Sequence, residues 1–521
     1  RATEPERNDP KILGPRLAGV LRVNLIRKAR LLDALARRYG IAQTVCTHTA
    51  WSERRIRRRL EAASEKQADY LARYLLLAAA SGALRRVYWG PFIGQREGPI
   101  DDGTGEYPEP IPHVTFYGRA PGHPAGYRFR PAYDALRTLA AFLPGSTWSR
   151  RLSPAAGVEL LEFRTPAGRV HAGWTVDGRA APLAGVYAAH SPPPSRVLTR
   201  DGRPLAAPPA LITESPVYLF WEHPAEPVPR TAPALLPRLS LPHPAGRRSE
   251  PVAANGWTGL VSRPDADWPA DTGPAPLFPD ALEQAPERRM LRQARNAVWA
   301  TGDPMQPGGV LIVKRAQAAG WLKRLLALGK PSKARRSWNG ACDLRRRGIA
   351  TPDPIAFFER PVRHPALAPN YYLCRAFPGT GSVRTAFTAF RDGAPAFEGL
   401  AKQAFYEALA AFLLRLHARG AFHRDLSAGN VLARVAGGQV EFAVIDTGRA
   451  RFYDRPLPLR QRLADLKRIV HPLSWPERQT FVGLYLEHLD RRFTPALRLP
   501  FALYDWKHRF KRWLRPLRGK R

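Results

Sequence analysis

Two short segments that carry acids constrain the fold of this chain more than any other feature. Residues 423–430 read HRDLSAGN, and residues 446–448 read DTG behind an apolar run. Asp425 stands five residues before Asn430, and Asp446 supplies a second carboxylate ahead of a glycine. Carboxylate and amide oxygens are hard ligands that suit Mg2+. The two segments therefore predict a site for a metal ion and phosphate groups.

An upstream lysine fits the same kind of site. In phosphotransferases with a protein-kinase-like fold, such acids follow a lysine that closes an apolar strand and contacts the α- and β-phosphates of ATP. Lys314 closes the apolar run 310–313 and precedes the acids in that order. The glycine-rich loop of protein kinases does not occur in the sequence. We interpret the turn 302–309 as a plain hairpin rather than as a phosphate cover.

The helix that follows Lys314 departs from this pattern. A basic helix is predicted over 332–347. A kinase fold carries a glutamate here that pairs with the strand lysine, and by spacing it would fall near Ser337 or the neighbouring Asn339. No glutamate occurs in the helix, and Asp343 would need a shifted register to replace it. We expect either that metal-bound phosphate and another acid hold Lys314, or that activity is impaired.

The acid-bearing segments divide into catalytic, metal-binding and structural parts. The amphipathic helix 405–419 leads into the first of them. Asp425 is the candidate general base, because a carboxylate beside an acceptor hydroxyl can take its proton during phosphoryl transfer. Asn430 and Asp446 are the candidate magnesium ligands. The His-Arg pair ahead of Asp425 is expected to hold the loop rather than to react.

Two departures from protein kinases narrow the substrate. Ser427 stands two residues after Asp425, where protein kinases usually place a lysine. The second motif reads IDTGRARF, and no activation segment ending in Ala-Pro-Glu follows Phe452. We therefore expect the acceptor to be a small or lipid-linked hydroxyl compound.

These motifs together resemble one bacterial family. KARRSW, RRRGIATPDP, HRDLSAGNVL, VIDTGRARF and LADLKRI are similar to segments of the lipopolysaccharide core kinases, the Kdo/heptose kinase and InaA-like group, over residues 288–485. The resemblance implies a two-lobed, protein-kinase-like α+β fold, ATP and Mg2+ as cofactors, and phosphorylation of an inner-core sugar. It makes Asp425 the catalytic carboxylate, Asn430 and Asp446 the metal ligands, and Lys314 the phosphate contact.

The resemblance also bears on one arginine and on location. Arg449 would be a family-typical arginine near the phosphates or in the core. The expected location is cytoplasmic, peripheral at the inner membrane of a Gram-negative bacterium.

At 521 residues the chain is predicted to be multidomain. Helix 23–39, strand 42–47, helix 65–80 and strand 84–89 alternate, which favours parallel α/β pairing. Strands 158–163 and 170–176 alternate like an antiparallel pair. The predicted segments are a barrel-like part (1–118), a small antiparallel β-sandwich (119–222), a proline-rich linker (223–286), a kinase-like domain (287–490) and a basic amphipathic tail (491–521).

The first 220 residues resemble, at the level of pattern, the C-terminal part of a (β/α)8 retaining glycoside hydrolase with its appended sandwich. Residues 47–51 read THTAW, with His48 where such enzymes carry the nucleophilic glutamate. A retaining glycosidase needs two carboxyl groups, and imidazole does not readily form the glycosyl ester. We interpret this part as an inactive, TIM-barrel-like module that binds carbohydrate or acts as a scaffold. Because the chain begins at Arg1, we also expect that its start is missing.

The charge balance points to an anionic partner. The formal net charge is +37 and the isoelectric point about 11.1, which suits nucleotide phosphate, nucleic acid or an acidic membrane, although an Arg-rich composition alone accounts for part of it. The tail 504–521 interleaves aromatic residues with cations, as in a helix lying on a membrane surface. A solvated terminus and nucleic-acid binding are the alternatives. Three widely spaced cysteines have no zinc-site spacing and are expected to be reduced thiols.

The leading hypothesis is an ATP- and Mg2+-dependent kinase of a lipopolysaccharide inner-core sugar, fused to an inactive glycosidase-like module. Its expected partners are a sugar-containing acceptor and an anionic membrane surface, without a specific nucleic acid. A non-catalytic envelope-polysaccharide binding protein with a pseudokinase domain is the first alternative. An aminoglycoside-type or protein kinase is the second.

Overall fold

The computed structural model divides into two compact units, Arg1–Pro242 and His243–Arg521, in agreement with the multidomain prediction. The structure describes residues 4–6, 25–103, 124–152, 157–183, 186–230, 239–243, 249–262, 273–293, 296–316, 330–379 and 381–517. The predicted boundary at residue 118 and the last four residues of the predicted tail lie outside these ranges. No helix in the described ranges combines the length and the apolar character that crossing a membrane requires.

The N-terminal unit begins with helices around a short parallel sheet. Its helices are α1 (Leu25–Arg38), α2 (Glu53–Arg57), α3 (Ala63–Ser81) and α4 (Pro131–Phe142). Strands β1 (Thr44–Thr49) and β2 (Leu84–Trp89) pair in parallel, which confirms the pairing predicted from the alternation. The short strands β3 (Ile100–Asp101) and β4 (Arg128–Phe129) pair antiparallel. A larger barrel built on β1 and β2 stays a prediction.

The rest of this unit is one antiparallel sheet with the order β10-β9-β12-β7-β6-β5. Its strands, with the separate pair β8 and β11, are β5 (Thr147–Arg151), β6 (Val158–Thr165), β7 (Gly168–Thr175), β8 (Ala181–Pro182), β9 (Arg196–Thr199), β10 (Pro204–Leu205), β11 (Leu211–Ile212) and β12 (Val217–Glu222). Leu161 and Trp174 pack with α3 and α4, whereas Leu160 and Leu219 pack with β8 and β11. In the described residues, the six-stranded sheet thus has helices on one face and the two-stranded sheet of β8 and β11 on the other. A full sandwich of two large sheets stays a prediction.

The C-terminal unit opens with a seven-stranded antiparallel sheet in the order β13-β14-β18-β19-β17-β16-β15. Its strands are β13 (Ser249–Ala254), β14 (Trp257–Ser262), β15 (Arg289–Arg292), β16 (Ala297–Gly302), β17 (Val310–Ala316), β18 (Pro354–Glu359) and β19 (Asn370–Arg375). Helix α5 (Pro279–Gln284) and helix α6 (Lys333–Arg346) accompany it. Trp338 of α6 packs against Phe357 of β18 at 5.8 Å between ring centroids. The turn 302–309 joins β16 to β17 as the predicted hairpin.

The prediction of an extended linker over 223–286 is wrong for a large part of that range. Residues 249–262 form β13 and β14, which extend the sheet at one edge, and α5 lies in the same range. Proline suggested a linker, but Pro251 lies on the edge strand β13, where a missing N–H costs no ladder hydrogen bond inside the sheet.

The second lobe of this unit is mainly helical. Its helices are α7 (Val383–Arg391), α8 (Lys402–Ala418), α9 (Leu459–Ile469), α10 (Trp475–Glu487) and α11 (Pro495–Leu517), and its strands are β20 (Gly381–Ser382), β21 (Ala396–Phe397), β22 (Leu400–Ala401), β23 (Ala421–Phe422), β24 (Val431–Ala436), β25 (Gln439–Val444) and β26 (Arg451–Phe452). Leu409, Leu413 and Leu416 anchor α8 in the core. This helix delivers the chain to residues 423–430, which lie between β23 and β24.

Candidate functional site

The structure brings together a lysine and an acid that are far apart in sequence. Lys314 lies on β17, between β16 and β19 in the sheet. Asp446 follows β25 in the helical lobe. The Lys314 Nζ atom donates a hydrogen bond to Asp446 Oδ1 at 3.1 Å, across 132 positions of sequence. Both predicted residues therefore face the cleft between the two lobes.

Asp446 is held in the charged form. Its backbone is left-handed, with φ 57°, so the chain turns sharply after β25 and presents the carboxyl group to the cleft. Burial by itself would raise the pKa of Asp446, but the positive charge and hydrogen bond of Lys314 and the charge of Lys333 outweigh burial and lower it. A carboxylate kept ionised in this way is a competent ligand for a divalent cation.

Asp425 and Asn430 occupy one loop, and each side chain has a defined orientation. The Asn430 Nδ2 group donates to the backbone carbonyl of Asp425 at 2.8 Å. This bond uses the amide nitrogen and directs the amide oxygen elsewhere, so that oxygen is available to a ligand. The Arg449 Nη1 group donates to Asp425 Oδ2 at 3.0 Å. Arg449 therefore lies against the predicted general base.

A buried acid that sequence reasoning missed fixes this loop. Asp465 of α9 is fully buried, and its two oxygens accept the backbone N–H groups of His423 and Arg424, each at 2.9 Å. Arg424 has φ 68°, a strained left-handed conformation that these bonds help to hold. The His423 ring bonds the carbonyl of Ile445 at 2.9 Å and so links the two acid-bearing segments. Helical spacing places Asp465 four residues before the buried Ile469, which signals its burial but not its backbone partners.

Helix α6 approaches the turn after Asp446 without a glutamate. Ser337 lies where the glutamate was expected, and together with Lys314 and Asp446 it lines a small cavity. Its carbonyl accepts a hydrogen bond from Thr447 Oγ1 at 2.8 Å. One turn further along α6, a Cβ added to Gly340 would meet the Thr447 carbonyl oxygen at 2.6 Å. The helix therefore packs directly on the turn.

The shifted-register alternative for this helix is wrong. Asp343 Oδ1 lies 3.6 Å from Arg346 Nη1 and 3.4 Å from Arg347 Nε, so its charge is matched within its own segment. Lys314 instead pairs with Asp446.

Basic side chains surround Asp446 and the turn that follows it. Arg336 Nη1 donates a long hydrogen bond of 3.4 Å to the Gly448 carbonyl. Burial and the charge of Arg449 lower the pKa of Arg336. Burial, with Lys314 and the two arginines, also lowers the pKa of Lys333, and Asp446 opposes this only in part. The excess of positive charge favours a ligand with several negative charges.

The residues fit a divalent cation that is bound together with a nucleotide. Within the described ranges, no group of three or more His, Cys, Asp or Glu side chains converges on one point. Asp446 and the amide oxygen of Asn430 can supply two hard ligands, and phosphate oxygens would supply others, as Mg2+ sites of phosphotransferases do. The Lys314 ammonium group and the surrounding arginines suit the remaining phosphate charge.

Comparisons with known proteins agree with this site. Residues 320–483 match the model of the lipopolysaccharide kinase (Kdo/WaaP) family. No protein among the curated ones matches the chain.

Solved structures also resemble a part of the chain. A WaaP structure in complex with acyl carrier protein has 24% sequence identity over 45% of this chain and 92% of its own, with a TM-score of 0.33. The kinase domain of maize SIRK1 (sucrose-induced receptor kinase 1) bound to AMP-PNP has 17% identity over 36% of this chain and 58% of its own, with a TM-score of 0.21. The kinase domain of Mycobacterium tuberculosis PknI has 18% identity over 32% of this chain and 62% of its own, with a TM-score of 0.21.

The family match confirms the resemblance to lipopolysaccharide kinases that the motifs carry. Its range contains both acid-bearing segments and α6, and the unit has a sheet lobe and a helical lobe, as a protein-kinase-like fold requires. The chain is a kinase, a phosphotransferase whose acceptor is an alcohol group and whose donor is ATP.

Proposed function

We propose that the C-terminal unit phosphorylates a sugar hydroxyl of the lipopolysaccharide inner core, on heptose or Kdo, with ATP and Mg2+. The observation that carries this proposal is the convergence of Lys314, Asp446 and the 423–430 loop on one cleft. The two acid-bearing segments lie within the range of the family match, and Lys314 lies six residues ahead of it. Ser427 in place of the protein-kinase lysine, and the missing activation segment, favour a sugar acceptor over a protein.

Asp425 accepts the proton of the attacking hydroxyl in this proposal. Arg449 orients its carboxylate through the 3.0 Å hydrogen bond. Asp465 holds the backbone on which Asp425 is mounted, so the carboxylate meets the acceptor in a fixed position. Asp425 is accessible enough to reach a substrate, since 45% of its side chain is exposed.

Lys314, Asn430 and Asp446 act on the ATP side of the cleft. Asn430 and Asp446 hold the metal ion, which when bound neutralises charge on the transferred phosphoryl group. Lys314 contacts the α- and β-phosphates. Because its ammonium group bonds Asp446 at 3.1 Å, it is already held beside the metal ligands in the absence of a glutamate on α6.

The N-terminal unit is proposed to be an inactive glycosidase-like module that binds envelope carbohydrate. His48 lies on β1 in place of the nucleophilic carboxylate and is exposed. Trp51 stacks on Trp89 with ring centroids 5.9 Å apart, near the ends of the two parallel strands. We place the whole protein at the cytoplasmic face of the inner membrane, where lipid-linked core sugars are the acceptors.

The variant Asp425→Asn tests the function. It should abolish transfer of labelled phosphate from ATP to lipopolysaccharide with a truncated core, whereas Asp490→Asn, on an exposed acid of the same unit, should transfer normally. Unchanged turnover in Asp425→Asn would sink the assignment. The melting temperature of the wild-type protein, measured with and without saturating ATP and Mg2+, separates the kinase from a binding protein. A kinase should be stabilised by the nucleotide, and no stabilisation would favour the binding protein.

A further inference from the structure

The last helix, α11, is held in one rotational setting by its inward face. Phe501 is 1% exposed and belongs to the core of the helical lobe. Asp505, one turn later, accepts a hydrogen bond from the His471 ring at 2.7 Å and forms an ion pair with Arg478 of α10. Phe501 and Asp505 lie on the same side of α11 and fix its rotation about its own axis. The opposite face of the helix is therefore directed outward.

The outward face carries a continuous apolar line. Leu499, Leu503, Trp506 and Phe510 are 58%, 57%, 65% and 45% exposed. Their spacing of four, three and four residues places them along one side of a helix. Trp506 and Phe510 stack with ring centroids 5.5 Å apart. We call these four residues the apolar stripe.

Cations border the apolar stripe on both sides. Lys507 lies on one flank of the helix, and Arg498 and Arg509 lie on the other. Residues 491–521 contain eleven Lys and Arg and one acid, Asp505. The carboxylate of Asp505 points inward, where it pairs with His471 and Arg478. The outward face thus combines large apolar side chains with uncompensated positive charge, which complements a surface that is apolar inside and anionic outside.

We propose that α11 lies flat on an anionic lipid bilayer, with the apolar stripe in the interfacial layer and the flanking cations on the headgroups. The inference rests on the proposed function, since a lipid-linked acceptor requires the kinase to work at such a surface. An anionic bilayer accounts for the exposed apolar line and for the cations on both of its flanks together.

The same helix packs on α9, the helix that holds the 423–430 loop. Tyr504, on the inner side of α11, packs edge-on against the His471 ring with the ring centroids 5.3 Å apart, and it lies under Lys467 and Arg468 of α9. Asp465 of α9 in turn holds the backbone directly ahead of the proposed base. A bilayer seated on α11 would therefore lie on the same lobe as the loop, to which a lipid-linked sugar has to be presented.

Vesicle flotation with the full chain tests the proposal. Vesicles of phosphatidylcholine with phosphatidylglycerol should bind the protein about tenfold or more tightly than phosphatidylcholine alone. Trp506→Glu should weaken that binding about tenfold, since it replaces a membrane-seeking ring with a charge. Trp475→Glu is the matched control, because Trp475 is 40% exposed on α10 and lies outside the stripe. Its binding should equal that of the wild type.

Three results would overturn the docking proposal. The first is wild-type protein that does not float with anionic vesicles. The second is an equal loss of vesicle binding in Trp506→Glu and Trp475→Glu. The third is sedimentation that shows Trp506→Glu dissociating a dimer of this chain. The proposed function is judged separately. Trp506→Glu should phosphorylate a water-soluble, deacylated core saccharide at the wild-type rate, and Asp425→Asn should still float. Vesicle binding without transfer to any acceptor would refute the kinase role alone.

Discussion

The two sides of the cleft differ in how closely they follow the pattern of a protein kinase. The acid side, residues 423–430 and 446–449, has its base candidate, its two metal-ligand candidates and a buried clamp at Asp465. The lysine side, β17 and α6, keeps Lys314 but has Ser337 where the glutamate is expected. Lys314 compensates by pairing directly with Asp446. The acid side therefore carries the proposed chemistry and also positions the lysine.

This difference has a physical cause. Helix α6 packs so closely on the turn after Asp446 that Gly340 leaves no room for a Cβ atom, and Thr447 bonds the carbonyl of Ser337. In a protein kinase a glutamate bridges the gap between the helix and the lysine. Here the helix contacts the turn after Asp446 itself, so we infer that a direct contact replaces the bridge.

The largest expected effect comes from Asp446→Asn. The change removes a metal ligand and the partner of Lys314 together, so phosphate transfer should fall about a thousandfold. The thermal shift caused by ATP and Mg2+ should vanish with it. Asp392→Asn, on an acid that is 59% exposed, is the control and should behave as the wild type. Retention of a tenth of the activity would contradict the view that the acid side carries both functions.

A smaller loss is expected for Asp465→Asn. One of the two backbone N–H groups would face an amide N–H in place of an oxygen, which costs about 2 kcal/mol in a buried site. The calorimetric melting temperature of the full chain's C-terminal transition should fall by about 5 °C. Activity should fall as well, because Arg424 is then free to leave its left-handed conformation. Asp490→Asn, on an exposed acid with φ 54°, should change neither quantity.

The order of the motifs along the chain predicts Asp425, Asn430, Asp446 and Lys314 as site residues, because each motif is local in sequence and can be recognised without tertiary information. Their roles stay proposals, yet Lys314 and Asp446 do meet. The edge hairpin β13–β14 was missed although Asn255-Gly256 is a strong turn signal, with φ values of 51° and 70°. The surrounding prolines obscured it.

Asp465 was missed for a different reason. Its partners lie about forty positions away, with separations of 42 and 41 residues from His423 and Arg424. Local pattern does not report such contacts, so a buried acid in a basic helix was not recognised as a clamp. The tight packing of Gly340 on Thr447 is likewise a tertiary contact without a local signal.

Ser337→Glu sharpens the comparison from the lysine side. A carboxylate at this position would share Lys314 with Asp446 and should raise kcat/KM for ATP about fivefold, since a partly exposed ion pair contributes about 1 kcal/mol at most. Ser337→Gln has the same size without the charge and should give no gain. An equal loss of kcat/KM in both variants would show that α6 is too close to Thr447 for any longer side chain. Geometry rather than charge would then explain why no glutamate stands at position 337.

The smallest expected effect concerns Lys333, at the start of α6. Burial and neighbouring cations lower its pKa in the folded protein, so the unfolded chain binds the proton more tightly, and stability should rise as the pH increases toward the ordinary lysine range. Lys333→Met removes this repulsion and should raise the melting temperature at pH 7.5 by about 1 °C. The gain is small because much of the Lys333 side chain is still exposed and solvent screens its charge. The gain should shrink as the pH approaches 10.5 and vanish above it, where the wild-type lysine becomes neutral in the unfolded chain as well. Lys330→Met, on an exposed lysine ahead of the helix, should show no such pH-dependent gain. A lower melting temperature in Lys333→Met would mean that the attraction of Lys333 to Asp446 outweighs burial and the repulsion from neighbouring cations. The lysine side would then stabilise the site more than the acid side alone accounts for.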